Sequence, residues 1–505
     1  MSYNTYPVTE TAIKCNSYTV KINGKEVRLD TARVSAYPFN RRWPGHQRSL
    51  DQTELVNFLN LETDEPLFFE IIPNEPFDTV EIRPRSLGIT PEVSDGKISF
   101  TLPHAAYFTV EPYGRHNALH IFADPMSDYS DIDKSSPDVI YYGRGEHDVG
   151  MIEIKSNQTL FIDEGAVVYA CVRADDAENI RICGRGILDN SRNVEEILFE
   201  FNAENNNSAI NNARRTHTVQ LEYCKSVTIE GITIRDSLVY NIRPLACENL
   251  EISNVKLIGN WRYNSDGIDM HNCVGVHISN CFLRNYDDCI CVKGFDCYYG
   301  EQEENIEELV KKAMYRNGKC YDVFCDVLVE NCVLWNDWGK CLEIGAETKA
   351  REIFGVQFRD CDLIHVTGPC LDCMNVDWAY VHDICWRSIN IELDDEIPMP
   401  VIQTSDSHSY SNPDPNFCPP VCSSEVVRHF EYSAGSKSLG RSSGLTFEDI
   451  RIYGRQTPTF TFSGYDAEHT VSNVVIRNVS VNGQPMAKDG YILKKNEFCE
   501  NIVVE

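Results

Sequence analysis

The first 133 residues alternate apolar and polar positions in short runs, with the period of two that is typical of β-strands. Turn residues separate these runs, as at Asn23-Gly24 and Asp95-Gly96. Several short strands at such spacing predict an antiparallel β-sandwich domain over residues 1–133. The predicted strands are Tyr18–Ile22, Leu67–Ile72, Thr79–Ile82, Lys97–Leu102, Tyr107–Glu111 and Ala118–Ala123.

A different pattern covers residues 134–505, in which a strand, a polar residue or glycine, and a second strand recur. Asn280 follows Asn254 by 26 residues, and Asn331 follows Asn280 by 51, which is about two such units. Repeats of roughly 20–50 residues built only from short strands are typical of a parallel β-solenoid. We therefore predict an all-β fold, with a β-sandwich followed by a parallel β-helix that carries the catalytic residues.

Small residues recur in phase with this repeat. Asn280 and Asn331 are followed by Cys281 and Cys332, and Cys361 follows Asp360 in the same phase. This pattern favours an asparagine ladder at a bend with thiols packed beneath it, rather than a metal site. Cys370-Leu-Asp-Cys373 and Cys418-Pro-Pro-Val-Cys422 lack the second pair or histidine partner that zinc requires, so no metal and no cofactor are predicted.

Two insertions, near 296–325 and 404–444, interrupt the repeat. In the first, Ile306, Leu309, Val310, Ala313 and Met314 have the spacing of an amphipathic helix. The second is rich in Ser, Pro and Asn and predicts a long loop of the kind that often serves function. Together they indicate a closed pocket and attack at chain ends.

The net charge and the N-terminal sequence limit the classes of function that are expected for this protein. The chain has 46 basic and 76 acidic residues, a net charge of −30, which disfavours a nucleic-acid partner. The segment after Met1 has no basic and apolar regions typical of a signal peptide, and no run is long enough to span a membrane. With 21 cysteines we expect free thiols in the cytoplasm, or secretion if a leader has been removed.

Four carboxylates, Asp266, Asp269, Asp287 and Asp288, lie within one repeat length between apolar segments. Burial and like charge both raise carboxyl pKa values, so such a cluster is costly to fold. A hydrolase that needs one protonated and one ionised carboxyl has a use for it. Adjacent residues of a regular strand point to opposite faces, so Asp287 and Asp288 must occupy a strand end or bend to share a groove. On that pair alone, a solvated turn is an equal alternative.

Three consecutive motifs resemble those of glycoside hydrolase family 28, the polygalacturonases and their relatives. They are Asn264-Ser-Asp-Gly-Ile-Asp269, Asp287-Asp-Cys-Ile-Cys-Val-Lys-Gly294 and Gly339-Lys-Cys-Leu-Glu-Ile-Gly345. Their order and the 21-residue step from Asp266 to Asp287 match the family. The resemblance implies a right-handed parallel β-helix and an inverting hydrolase.

Carried over position by position, the resemblance makes Asp287 the general acid. Asp266 and Asp288 would hold and deprotonate the attacking water, with Asp269 supporting them. Inversion leads us to expect about 6.5–9.5 Å between the acid and base carboxyls.

The chain departs from the family where the family binds the galacturonate carboxylate. Lys340 stands at the motif histidine, Glu343 stands at the motif serine, and no Arg-Ile-Lys triplet follows Gly345. Lys293 and Lys340 are the candidate replacement cations, although an ion pair of Lys340 with Glu343 or Glu347 is equally compatible. The predicted substrate-binding residues are Lys340, Lys293, Asp269, Glu343 and Trp338.

The order of domains is similar to that of glycoside hydrolase family 49, the dextranases and isopullulanase, which also place a β-sandwich before such a helix and keep three aspartates. Aromatic residues near the motifs suit sugar stacking or simple packing. They are Trp261, Tyr263, Tyr298, Tyr299, Trp335 and Trp338.

Two other function classes stay open at this point. A β-helix polysaccharide lyase would use Asp266, Asp287 and Asp288 for Ca²⁺ and Lys340 as base. A non-catalytic carbohydrate-binding solenoid would not need the clustered aspartates. The expected partner is an oligosaccharide or polysaccharide, such as a galacturonan or an α-glucan, whereas the sugar, the linkage and the oligomeric state do not follow from these residues.

Overall fold

The computed structural model describes residues 3–6, 14–36, 50, 53–196, 217–262, 264–295, 306–394, 419–429 and 438–505. Within these ranges the regular secondary structure is nearly all β-strand, and none of the helices has the length and apolar character to cross a bilayer. Tyr263, Tyr298 and Tyr299 lie outside the described residues, as do parts of both predicted insertions.

The N-terminal part is a β-sandwich of two sheets. One sheet contains Tyr3–Thr5, Asp30–Ser35, Thr53–Thr63, Glu81–Arg83, Ala106–Arg115 and Leu119–Asp124. The other contains Tyr18–Ile22, Lys25–Val27, Leu67–Pro73, Glu92–Ser94 and Lys97–Leu102. Alternating side chains from both sheets, such as Val20, Phe69, Phe108 and Ile121, form the core between them. A short 3₁₀ helix, Arg85–Leu87, follows Glu81–Arg83.

The prediction of a purely antiparallel sandwich is wrong at one pair of strands. Leu119–Asp124 runs parallel to Thr53–Thr63, the longest strand in this domain. The sequence pattern missed Thr53–Thr63 because the strand is buried on both faces. Phe58 points toward the β-helix and Leu59 into the sandwich, so polar and apolar positions do not alternate.

The remainder is a right-handed parallel β-helix with three strand rows. The first row contains Val139–Tyr142, Thr159–Ile162, Glu178–Gly184, Lys225–Glu230, Glu248–Ser253, Val274–Ser279, Val323–Glu330, Glu352–Arg359, Tyr380–Arg387, Arg441–Glu448, Val471–Arg477 and Cys499–Val504. The second contains Ile187–Asp189, Thr233–Arg235, Lys256–Ile258, Phe282–Asn285, Val333–Asn336, Asp362–Val366, Asn390–Leu393, Arg451–Tyr453 and Ser480–Val481, with Gln484–Pro485 antiparallel at its end.

The third row, which we call the site row, carries the motif residues. It contains Val219–Glu222, Ile242–Leu245, Ile268–His271, Ile290–Lys293, Leu342–Ile344, Leu371–Asn375, Cys422–Val426, Thr459–Ser463 and Ile492–Lys495. Two longer strands at its start, Gly145–Glu153 and Ala166–Asp175, extend across both the second row and the site row. A 3₁₀ helix, Ser191–Glu196, follows an early coil. Inward side chains of all three rows form one continuous apolar core.

The asparagine ladder occupies the bends between rows. Asn254, Asn280 and Asn331 have φ values of 52°, 52° and 55°, in the left-handed region that asparagine tolerates best after glycine. Cys281 and Cys332 follow them and are fully buried, as the packing interpretation predicts. All nineteen cysteines in the described ranges are free thiols. Cys370 and Cys373 are buried in the apolar core of the β-helix.

The sandwich packs on the second row through an aromatic contact. Phe122 lies 4.9 Å from Phe282, measured between ring centroids. His120 stacks on Trp335, and the Arg284 guanidinium lies 3.8 Å from the centroid of the same indole ring. Trp335 is fully buried, so its role is packing rather than sugar binding. This contact fixes the strands that lead into the motif bends.

The first insertion contains the predicted helix, at Ile306–Ala313, followed by the small hairpin of Tyr315–Arg316 and Lys319–Cys320. Val310 and Met314 bury its apolar face against Leu245 and Phe295. The second prediction is partly wrong. Cys422–Val426, inside the expected loop 404–444, is a strand of the site row, because its alternate side chains are buried in the solenoid core.

Candidate active site

The motif aspartates meet where successive coils stack. Gly267 N–H donates to the carbonyl of Asp288 at 2.7 Å, and Cys289 N–H donates to the carbonyl of Lys340 at 2.8 Å. Asp266, Asp287 and Asp288 therefore occupy stacked bends just before strands of the site row. Asp287 and Asp288 lie at a bend, as they must if both side chains are to face one groove.

Two motif glycines permit this close stacking. A Cβ on Gly267 would lie 2.2 Å from the carbonyl oxygen of Cys289. A Cβ on Gly339 would lie 2.4 Å from both the backbone nitrogen and a carboxylate oxygen of Asp288. Any side chain at Gly339 would therefore displace a predicted catalytic carboxylate.

Carboxyl oxygens of Asp266, Asp287 and Asp288 lie within 4.8 Å of one another. The sequence led us to expect about 6.5–9.5 Å between acid and base. That range refers to whole carboxyl groups, whereas the 4.8 Å limit joins one oxygen from each, and these oxygens approach because the side chains come from directly adjacent bends. The cluster therefore brings an oxygen of each of the three carboxyls around one small volume.

Lys293 lies at the centre of the acids. Its Nζ is 2.8 Å from Asp269, 3.6 Å from Asp266 and Glu347, and 3.9 Å from Asp288. In the strand register Asp269 pairs with Cys291, so Lys293 and Asp269 project from the same outward face of neighbouring strands. The Lys293 ammonium thus neutralises part of the charge that the aspartates bring together.

The environment raises the pKa values of two aspartates and of the lysine alike, but for different reasons. Burial, and then the Asp288 carboxylate, raises the pKa of Asp287 well above that of an ordinary aspartate. Burial, Asp269 and Asp287 do the same to the pKa of Asp266. Burial opposes the Lys293 ammonium, but Asp269 and Glu347 outweigh it and raise the pKa of Lys293.

Lys340 forms a second charged group, one coil further along. Its Nζ contacts the Glu343 carboxylate and lies 2.7 Å from Asp372, so the ion-pair interpretation of Lys340 with Glu343 is confirmed. Its backbone N–H donates to Asp288 Oδ1 at 2.8 Å. Asp269 and Glu343 are fully buried, and Lys340 is partly exposed beside the aspartates.

The aromatic residues have different environments. Trp338 is partly exposed and packs on the buried ring of Tyr286, 5.2 Å away. Trp261 donates to Asp236 at 3.2 Å, which gives it a structural contact. The structure thus brings Lys293, Asp269, Lys340, Glu343 and Trp338 to the same region as the three aspartates.

Sequence reasoning missed three residues of this region. Asp372 pairs in register with Glu343, and Tyr240 lies under the Lys293 ammonium at 5.4 Å. Asn336 donates to the carbonyl of Asp287 at 2.9 Å. Asp372 follows Glu343 by one coil in the same strand phase, and this repeat position could have indicated it.

The lyase alternative requires a divalent cation at the aspartates. Three carboxyl oxygens within 4.8 Å are suitable ligand types. A cation among them would, however, lie beside the Lys293 ammonium, 3.6 Å from Asp266, and the two positive charges would repel. The arrangement therefore favours proton transfer over calcium chemistry.

Comparison with known proteins agrees with the motifs. The family model of glycosyl hydrolases family 28 matches residues 147–306, which include the first two motifs. A probable polygalacturonase from Vitis vinifera is 24% identical over 202 residues, which are 35% of this chain and 41% of the relative. A polygalacturonase from Gossypium barbadense is 26% identical over 144 residues, 28% of this chain and 33% of the relative.

These matches confirm the resemblance to glycoside hydrolase family 28, and the chain matches less than half the length of these curated relatives. Among solved structures, Dex49A from Penicillium minioluteum has a TM-score of 0.56 at 13% identity, covering 99% of this chain and 96% of that chain. At this identity the likeness concerns the fold, and it confirms the similarity in layout to a family 49 protein.

The raised pKa of Asp287 makes a prediction about stability. The native state holds the Asp287 proton more tightly than the unfolded chain, so the cost of this carboxyl is absent below the ordinary aspartate pKa and grows as pH rises. We expect Asp287→Asn to raise the free energy of unfolding at pH 7–8, by about 1.4 kcal/mol for each pKa unit.

Urea denaturation at several pH values measures this effect. The gain should vanish near pH 3, where the wild-type carboxyl is protonated in both states. Asp326→Asn, at an exposed position of the strand Val323–Glu330, is the matched control and should show no such gain. A loss of stability in Asp287→Asn that is equal at all pH values would contradict the electrostatic account.

Proposed function

We propose that this protein is a polygalacturonase-like glycoside hydrolase that uses Asp287 as general acid. The observation that carries the proposal is the convergence of three carboxyls within 4.8 Å beside a partly exposed lysine. Bringing these carboxyls together is costly in folding free energy. Proton transfer gives a reason for the cluster, because it needs one protonated and one ionised carboxyl. The family 28 match over residues 147–306 supports the same reaction class.

Asp287 fits the acid role because its raised pKa keeps a proton available near neutrality. Its Oδ1 accepts the backbone N–H of Asp288 at 3.0 Å, which leaves the other oxygen to deliver that proton. In the proposed step the Asp287 proton passes to the glycosidic oxygen as the bond to the anomeric carbon breaks.

Asp288 is the better candidate for the base that activates water. It accepts the Lys340 N–H at 2.8 Å and lies 3.9 Å from the Lys293 ammonium, contacts that suit a carboxylate. Burial and the neighbouring carboxylates raise the pKa of Asp266, so Asp266 tends to keep its own proton and is less available to accept one. We therefore assign Asp266 to holding the water and Asp288 to deprotonating it.

Hydrolysis of an oligosaccharide panel tests the assignment of the acid. We expect Asp287→Asn to lower kcat by about 10²–10⁴-fold on any substrate that the wild type cleaves, because the leaving oxygen loses its proton donor. Release of short products from the first time points would support attack at chain ends, and long internal fragments would oppose it. Asp326→Asn should retain wild-type activity. An Asp287→Asn variant as active as the control would refute the proposed acid.

The stereochemistry of the first product tests the role of Asp288. A base that deprotonates water gives inversion at the anomeric carbon, whereas a carboxylate that attacks it directly gives retention. We expect inversion, which proton NMR of the fresh product detects before mutarotation. Retention would mean that the close spacing of the carboxyls reflects a nucleophile, and would reassign Asp288 or Asp266 to that role.

A further inference from the structure

Three carboxyls form an acidic wall next to the proposed catalytic aspartates, consisting of Glu343, Asp372 and Glu425. Glu343 and Asp372 are paired in register on the outward face of the site row. Glu425 is on the next strand, opposite Met374. A sugar that reaches Asp287 and Asp288 along this row would lie against the wall.

Among the described residues, Lys340 is a cation that contacts two carboxyls of this wall, and its donors already have partners. An ammonium group has three N–H donors. The Lys340 Nζ contacts Glu343 Oε1, lies 2.7 Å from Asp372 Oδ2 and 3.5 Å from Met374 Sδ. These three contacts account for its full hydrogen-bonding capacity.

Asp372 is itself held in place. Ser423 Oγ donates to Asp372 Oδ1 at 2.5 Å, so one oxygen of this carboxylate binds the serine and the other binds Lys340. A sugar carboxylate could recruit Lys340 only by displacing Asp372 or Glu343. Even a protonated Glu343 would leave Asp372 bound to the ammonium.

Lys293 offers no better anion site. Its Nζ lies within 3.9 Å of four carboxylates, of Asp266, Asp269, Asp288 and Glu347, and the side chain is buried behind them. An approaching anion would meet these carboxylates and the acidic wall. Sugar hydroxyls, in contrast, donate hydrogen bonds to carboxylates without a charge penalty.

We propose that the sugar unit bound against Lys340 and the acidic wall is uncharged, and that Asp372 and Glu425 select against uronates there. The inference rests on the proposed hydrolase function and specifies its substrate class. Asp372 and Glu425 are therefore specificity-determining residues. They prevent the Lys340 ammonium from pairing with an acidic sugar, and they repel the carboxylate of that sugar.

Matched substrate pairs, with one member neutral and the other acidic at C6, test the proposal. One pair is an oligogalacturonide and its fully methyl-esterified form, and another is a 1,4-linked α-glucan oligomer and its C6-oxidised form. We expect kcat/KM for each neutral member that is cleaved to exceed that of its acidic partner by at least about tenfold. Every activity is measured in parallel with Asp287→Asn.

Variants that remove one charge separate electrostatics from shape. Asp372→Asn should raise the acidic-to-neutral ratio of kcat/KM by about tenfold. The Lys340 ammonium would no longer pair with the Asp372 carboxylate and could bind the carboxylate of an acidic sugar. Glu425→Gln should shift the ratio in the same direction and serves if Asp372→Asn folds poorly. Asp326→Asn, remote from the site row, should leave the ratio unchanged.

The outcomes separate the inference from the function on which it rests. Cleavage of an acidic member as fast as its neutral partner, lost in Asp287→Asn, would overturn the inference and leave the hydrolase intact. Ratios unchanged in both Asp372→Asn and Glu425→Gln would also overturn it. Absence of Asp287-dependent cleavage for all members would contradict the proposed function itself.

Discussion

The contact between Lys293 and its surrounding carboxylates is the interaction on which the site depends. Four acids lie within 3.9 Å of one ammonium, in a region that excludes most water. Without that charge, Asp266, Asp269 and Asp288 would repel one another at close range. Lys293 is held by the strand Ile290–Lys293, whose register follows from the coils on either side.

The β-helix creates this crowding by its geometry. Parallel strands stack at a fixed spacing of about 4.8 Å, so residues in the same phase of successive coils become neighbours. Acids near the start of one coil therefore meet acids of the next. Glycines at the bends, such as Gly267 and Gly339, permit an approach that a Cβ would block. The same repetition brings outward-pointing charged side chains of successive coils close together.

The repeat explains how much could be predicted from sequence. The strand pattern, the asparagine bends and the placing of Asp287 and Asp288 all follow from local spacing, because each coil repeats one register. The partners of Lys340 did not follow, since Asp372 is on another coil and the length of each turn sets which residues meet. Strand Thr53–Thr63 was missed for a related reason, as burial on both faces removes the alternation that marks a strand.

The residues that depart from the family 28 motifs belong to one connected group of contacts. Lys340 and Glu343, which replace a histidine and a serine of the family pattern, contact each other and extend through Asp372 to Ser423. This chain of contacts borders the aspartates without disturbing the bends that hold them.

Neutron diffraction from a deuterium-exchanged crystal near pH 7 tests the central claim most directly, because it locates protons on the carboxyls. We expect a deuteron on Asp287, none on Asp288, and three on the Nζ of Lys293. A deuteron on Asp288 with none on Asp287 would contradict the assignment of acid and base. A neutral Lys293 amine would contradict the charge balance on which the site is built.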